Sequence, residues 1–184
     1  MQWNLPGGVR WTIIEPSNVK IAAGCNAYYI KKMWNHELDL RDIPYDTLVH
    51  SHLIEHQYDL NDFMMTCAKV LELGERMVFA LPNLKHWLKE KYLNTLFFEH
   101  TYLISDDYVE SILHKYRFRI LERRDFGNGH SLFYAAEKMH DSMTAEPDYG
   151  RFYADNKRYF LEFIAYFKDK HHFTTFELSC FSQA

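Results

Sequence analysis

Between Tyr45 and Leu81 two short apolar runs flank an amphipathic segment, and that order leaves few ways to fold. Tyr45-Asp46-Thr47-Leu48-Val49-His50 reads as a buried strand, and Arg76-Met77-Val78-Phe79-Ala80-Leu81 reads as a second. Between them Leu60, Phe63, Met64, Cys67, Ala68 and Leu71 fall at i, i+3, i+4, i+7, i+8 and i+11, which is one face of a helix. Asp59 or Asn61 can cap that helix, and Gly74 closes it. Strands separated by a helix lie parallel and are joined by a right-handed crossover. The polar hexad Ser51-His52-Leu53-Ile54-Glu55-His56 then follows the carboxyl end of the first strand, the edge at which open α/β sheets gather ligands.

The flanking segments extend this pattern. Val9 to Ile14 is a compact β-prone run ended by Glu15-Pro16-Ser17, because proline cannot continue a ladder. A short helix is expected over Val19 to Ala23 with Gly24 after it, and a strand over Ala27 to Ile30. Ser105 is placed to cap a second amphipathic helix, with Asp106 and Asp107 in its first turn and Val109, Ile112, Leu113 and Tyr116 inward. Runs from about Phe118 to Phe126 and Leu132 to Glu137 flank Gly127-Asn128-Gly129-His130, whose residues tolerate positive φ at a tight reversal, so they form an antiparallel hairpin. From about Tyr149 to Lys170 a longer helix places Phe152, Tyr153, Asn156, Phe160, Phe163 and Phe167 on one stripe. Its other face carries Asp155, Lys157, Glu162 and Lys168, so it reads as a docked helix or a subunit contact rather than a membrane helix. The organisation expected is an α/β domain over 1–139, a linker over 140–147 and a truncated helical segment over 148–184.

Composition narrows the partners. A chain of 184 residues that is 47% hydrophobic and 25% charged can bury a real core. Its net charge of −4, with Lys and Arg clustered no further than dipeptides, gives no footprint for nucleic acid. No apolar run approaches the roughly 18 to 20 residues that span a bilayer. Cys25, Cys67 and Cys180 are an odd, widely spaced set with no Cys-x-x-Cys pair, and with no secretory leader read at the N-terminus the expectation is a reducing cytoplasm.

Taken in order, Ile13-Ile14-Glu15-Pro16-Ser17, the strand from Tyr45-Asp46 into the hexad, and Val70-Leu71-Glu72-Leu73-Gly74-Glu75-Arg76-Met77-Val78-Phe79-Ala80-Leu81-Pro82-Asn83 resemble a class I S-adenosylmethionine-dependent methyltransferase. The resemblance covers about residues 9 to 138. It implies a doubly wound, Rossmann-like α/β fold, a mostly parallel sheet ending in an antiparallel hairpin, with S-adenosylmethionine as cofactor. It further implies that Glu15 accepts hydrogen bonds from the ribose hydroxyls, for which a carboxylate offers two oxygens, and that Ser51 and His52 face the cofactor cleft. The family's first strand, glycine loop and first helix have no counterpart, since only Met1 to Gly8 precede the second strand. Truncation, degeneration of the cofactor site, or a half supplied by another chain would each account for this, and the isolated chain is then expected to be inactive. Exposed strand faces or the C-terminal helix would then favour a homodimer.

Within the superfamily, Phe97-Phe98-Glu99-His100-Thr101-Tyr102 followed by Ser105 resembles the sugar C-methyltransferase group, as do the hairpin and the terminal Cys180-Phe181-Ser182-Gln183. That likeness implies a small-molecule acceptor such as a nucleotide-linked sugar, with His100 as general base, Glu99 orienting it, and no metal required. A polar loop pair bonded to backbone is the structural alternative for Glu99 and His100, and a brace for the next helix is the alternative for Glu55 and His56. Glu15 could equally face solvent, and His171-His172 reads as a solvated helix end. A non-enzymatic remnant acting as an interaction module is the opposing class. His52-Leu53-Ile54-Glu55-His56 also matches the His-x-x-Glu-His pattern of zinc hydrolases, which needs both histidines on one helix.

Overall fold

The computed structural model describes residues 2–3, 8–18, 20–96, 99–140 and 149–171. The fold is α/β, and a four-stranded sheet forms its body. Strand β1 (Gln2–Trp3) pairs in parallel with β3 (Lys20–Ile21), and β2 (Trp11–Ile14) pairs in parallel with β4 (Ala27–Ile30). The main sheet runs in the order β5 (Thr47–Ser51), β6 (Arg76–Pro82), β8 (Ser131–Lys138), β7 (Phe118–Phe126). Strands β5 and β6 are parallel, while β8 is antiparallel to both β6 and β7. The expected hairpin therefore inserts its second strand beside β6 and leaves its first strand outermost. Among the described residues the β2–β4 pair shares no strand pairing with this sheet.

Helix α1 (Leu60–Val70) is started by Asp59, whose side chain accepts from the Asp62 N–H at 3.0 Å. That resolves the choice between Asp59 and Asn61. It buries Leu60, Phe63, Met64 and Cys67, and Gly74, at φ +84°, turns the chain back into β6. Helix α2 (Leu84–Glu90) is capped by Asn83, which accepts from the His86 N–H at 3.2 Å. Helix α3 (Asp106–Lys115) starts at Ser105 as expected, but the Ser105 hydroxyl makes no cap bond; it accepts from Asn156 Nδ2 at 2.8 Å. Asn156 belongs to α4 (Tyr149–His171), so a tertiary partner has replaced the local one. Lys85 pairs with Asp106 at 2.7 Å and with Asp107, and Arg123 pairs with Asp106 at 2.7 Å, which ties α2 and β7 to the start of α3.

Two expectations are corrected. In place of a helix over Val19 to Ala23, Lys20–Ile21 is a strand and Ala23-Gly24 is a turn; Val19 lies outside the described residues. Five residues without a cap bond are too few to hold a helix against pairing with a neighbouring strand. On α4, Tyr153 is 67% exposed rather than inward, while Phe163 and Phe167 are buried against Leu84 and Leu88 of α2. Phe97-Phe98, the side chain of Phe152, most of the linker, and everything from His172 on, including Cys180, lie outside the described residues. No helix among the described residues is long and apolar enough to cross a membrane.

The core lies on one face of the sheet. Met77, Phe79 and Leu81 of β6 and Leu132, Tyr134 and Ala136 of β8 pack there against Phe63, Met64 and Cys67 of α1 and Val109, Ile112 and Leu113 of α3. Phe79 stacks on Tyr134 at 5.3 Å and on His50 at 4.9 Å, and Phe63 meets the His50 ring edge-on at 5.3 Å. Although part of His50 reaches the surface, both ring nitrogens are out of water with no hydrogen-bond partner, as is the Tyr134 hydroxyl. Burial pushes the His50 pKa down to about 3.

An unpartnered buried hydroxyl costs stability, so Tyr134→Phe is expected to be neutral or stabilising, whereas Tyr134→Ala should cost about 3–5 kcal/mol in urea unfolding. His50 gives the fold an acid sensitivity. Its folded value lies below the free imidazole value, so between about pH 6.5 and pH 3 the unfolded chain binds a proton that the folded chain refuses. Stability should fall by up to about 2 kcal/mol from pH 7.5 to pH 5.0. His50→Leu should flatten that slope; an unchanged slope would show that other groups set it.

Candidate functional site

The carboxyl ends of β5 and β6 carry a cluster of imidazoles around one buried carboxylate. Chain direction reverses sharply after β5: His52 sits at φ +48°, donates its N–H to the Ala80 carbonyl at 2.8 Å, and is followed by one 3₁₀ turn over Ile54–His56. Glu55, in that turn, is only 3% exposed. Its Oε1 lies 3.2 Å from His52 Nδ1 and 4.0 Å from His56 Nε2, while its Oε2 is buried with no partner.

Segment 99–102 is fastened to this turn by backbone acceptors. The Glu55 carbonyl receives the Tyr102 N–H at 3.2 Å and the Thr101 hydroxyl at 3.1 Å, and the Thr101 hydroxyl also reaches the Gln57 carbonyl at 2.5 Å. The Glu99 carbonyl receives His56 Nδ1–H at 2.8 Å. These bonds bring the His100 ring to 5.0 Å from the His56 ring and 6.0 Å from Trp87. Burial holds His100 below the ordinary imidazole value; the Glu55 carboxylate opposes the shift, and the His56 and His52 rings add to it. His100 is thus a neutral imidazole near pH 7, able to take up a proton or bind another electrophile.

A second chain of polar groups leads in from the hairpin. His130 Nδ1 lies 2.9 Å from Ser131 Oγ, and Ser131 Oγ lies 3.3 Å from His52 Nε2. One set of tautomers satisfies all of it: His130 Nδ1–H donates to Ser131, the Ser131 hydroxyl to His52 Nε2, and His52 Nδ1–H to Glu55 Oε1. Trp87 Nε1–H donates to the His130 carbonyl at 2.7 Å, and its indole lies 4.8 Å from the His130 ring and 6.0 Å from the His100 ring. Glu55 and His100 line a small recess together with Leu81, Pro82, Trp87 and Tyr102. A larger cavity of about 580 Å³ lies beside Tyr45, Lys69 and Glu75, at the amino ends of β5 and β6. Ligands of open α/β sheets bind at the opposite, carboxyl edge, so the smaller recess is the candidate site.

The structure brings His52, Glu55, His56 and His100 together and leaves the other expected residues apart. Ser51 is exposed at the end of β5. Glu99 is exposed, its carbonyl braces His56, and its negative charge acts on the His100 ring in the direction that favours the protonated form. Glu15 follows β2, where its Oε1 accepts the Ser17 N–H at 3.0 Å. The zinc-hydrolase geometry is absent, because His52 lies outside the single 3₁₀ turn and points its nitrogens at Glu55 and Ser131. Trp87, His130 and Ser131 join the cluster without a motif of their own, although the Pro82-Asn83 and Gly129-His130 signals stand beside them.

No family model matches the sequence, and no curated protein matches it. Among solved structures the chain is similar to a SAM-dependent methyltransferase from Methanosarcina mazei, at 13% identity and a TM-score of 0.48, covering 65% of this chain and 71% of that one. It is also similar to a SAM-dependent methyltransferase from Thermotoga maritima, at 14% identity and a TM-score of 0.48, covering 73% and 83%. Magnesium protoporphyrin IX methyltransferase from Synechocystis with bound SAH is similar at 16% identity and a TM-score of 0.44, covering 63% and 53%. Each is a likeness of fold alone.

The hairpin turn packs against His86 of α2. Gly129 has φ +84°, and a Cβ there would stand 3.1 Å from the His86 ring. Gly129→Ala is therefore expected to destabilise the chain by about 1–3 kcal/mol, read by urea unfolding. Gly24→Ala, with a similar φ but open space around it, should cost less.

Proposed function

We propose that the chain carries out methyl transfer from S-adenosylmethionine to a small acceptor, of which a nucleotide-linked sugar is the class expected from Glu99-His100. The observation that carries this reading is the strand order β5-β6-β8-β7 with an imidazole cluster at the carboxyl ends of its parallel strands. In such a sheet the cofactor belongs at that edge. Ser51 and His52 stand on it, and Glu15 ends its own strand with one carboxylate oxygen turned to backbone. A carboxylate has about four lone-pair sites, so that bond leaves capacity for ribose hydroxyls. When bound, the cofactor supplies a methyl group made electrophilic by its sulfonium. The recess beside Trp87, at about 10 Å³, is too small for the acceptor itself, so the acceptor lies over its mouth, where the neutral His100 imidazole serves as a proton acceptor.

A second reading, a non-enzymatic scaffold, is favoured by one observation: Glu15 lies on a strand pair that shares no ladder with the sheet bearing Ser51 and His52 among the described residues. Calorimetric titration of the full chain with S-adenosylmethionine and S-adenosylhomocysteine separates the two. Micromolar binding is expected, weakened about 10- to 100-fold by Glu15→Ala, the equivalent of one or two charge-assisted hydrogen bonds. A folded chain that gives no heat would establish the scaffold reading.

A further inference from the structure

The geometry points to a divalent transition-metal site formed by Glu55, His56 and His100. One ligand atom from each lies within 4.8 Å of the others. Two ligands bound at about 2.1 Å to one tetrahedral ion stand about 3.4 Å apart, so small side-chain adjustments close the set.

Three features show that the groups are arranged for an ion rather than merely near one another. The Glu55 carboxylate is 3% exposed, and its Oε2 has no partner at all. A buried carboxylate oxygen left unpaired is costly, and buried charges are paired or bind metals. His56 commits Nδ1–H to the Glu99 carbonyl at 2.8 Å, which leaves a lone pair on Nε2, the nitrogen facing Glu55 Oε1 at 4.0 Å. A lone pair and a carboxylate oxygen face each other there, an arrangement that a cation between them would satisfy. The backbone bond to the far nitrogen is the usual second partner of a metal-bound imidazole, since it fixes both tautomer and ring plane. Finally, His52 holds Glu55 Oε1 at 3.2 Å and is itself held by Ser131, which fixes the plane of the carboxylate that faces His56 and keeps Oε2 free of other partners.

Two imidazoles and one carboxylate suit zinc and its first-row neighbours rather than magnesium or calcium. Three protein ligands leave a coordination position open, the pattern of sites that take an exchangeable oxygen ligand. Glu55 and His100 also line the recess with Pro82 and Trp87, so that position faces the candidate site. The metal site stands independently of methyl transfer. Only the further step, that an acceptor hydroxyl fills the open position, rests on that function.

The test uses the full chain after dialysis against a chelator, with no S-adenosylmethionine present, so that failure of methyl transfer cannot be mistaken for failure of the site. Titration with Zn²⁺ against a chromophoric chelator should give one equivalent per chain, and Co²⁺ should give visible d–d bands. His100→Ala and His56→Ala should each weaken binding at least 100-fold, and His52→Ala, which removes only an orienting partner, about 10- to 100-fold. His36→Ala, remote in sequence and paired with Asp62, should change nothing. Far-ultraviolet circular dichroism checks that each variant folds, and the milder His100→Gln provides the same reading should His100→Ala fail to fold. A folded wild-type chain that binds no Zn²⁺ or Co²⁺ at 10-fold excess would overturn the proposal. One equivalent bound equally by the folded His56 and His100 variants would overturn it as well.

Discussion

Three rings, one from each of β5, β6 and β8, lie side by side across the sheet, and their alignment sets the position of everything above them. His50, Phe79 and Tyr134 are direct partners in the two ladders, at centroid spacings of 4.9 and 5.3 Å with nearly parallel planes. A slip of one residue would carry Phe79 to the opposite face of the sheet, so the buried stack specifies the register. The same register puts Ala80 where its carbonyl receives the His52 N–H, and sets Pro82 opposite Ser131, which brings the Ser131 hydroxyl to His52. Fold and site therefore share one constraint. The stack keeps three polar atoms, two on His50 and one on Tyr134, out of water without partners, a cost offset by the aromatic surface it buries.

The second half of the site reaches the first by backbone chemistry rather than side-chain packing. Residues 99–102 are more than 40 positions beyond the turn at Ile54–His56, yet they exchange several hydrogen bonds with it, most of them to carbonyls. Carbonyl acceptors are insensitive to the side chain of the residue that bears them. Glu55 can therefore face its carboxylate into the cluster while its main chain anchors Thr101 and Tyr102. Both readings of Glu55 and His56 thus describe the same residues: a brace through the backbone and through His56 Nδ1, and a polar cluster through the remaining atoms.

The elements legible in the sequence are those with a strong period or a special turn. The spacing from Leu60 to Leu71 places α1, and Gly127-Asn128-Gly129 places the hairpin; these signals are local and face no competitor. Lys20–Ile21 is not legible as a strand because two residues carry no period, and Ser105 is right in position but wrong in its bond, since Asn156 arrives from 51 residues away. In the site, the hexad and Glu99-His100 each stand out alone. Their convergence does not, because the ladder and carbonyl bonds that join them have no sequence signature. The His-x-x-Glu-His pattern marks two of the right residues but presumes a helix, and the chain has a single 3₁₀ turn there. The pairing that matters is Glu55-His56 with His100, a partner that no local spacing could supply.

What re-aims the end of β5 is one strained residue. Side chains alternate along an extended strand, so Leu48 and His50 share the α1 face, and a fully extended His52 would follow them there. Ser131 has the opposite parity, because it lies one residue from the inward Leu132. A residue that continued the alternation would turn its ring away from that hydroxyl. The left-handed φ of +48° at His52 breaks the alternation and turns the ring toward Ser131 and Glu55. Of the other non-glycine residues with positive φ, Lys91 caps α2, Arg117 follows the end of α3, and Asn128 is in the hairpin turn, all places where helix ends and reversals require it. His52 has no such local requirement. Its strain, of order 1–3 kcal/mol, is held by the ladder bond to Ala80 and by the two contacts its ring makes, and it lies where the polar cluster is assembled.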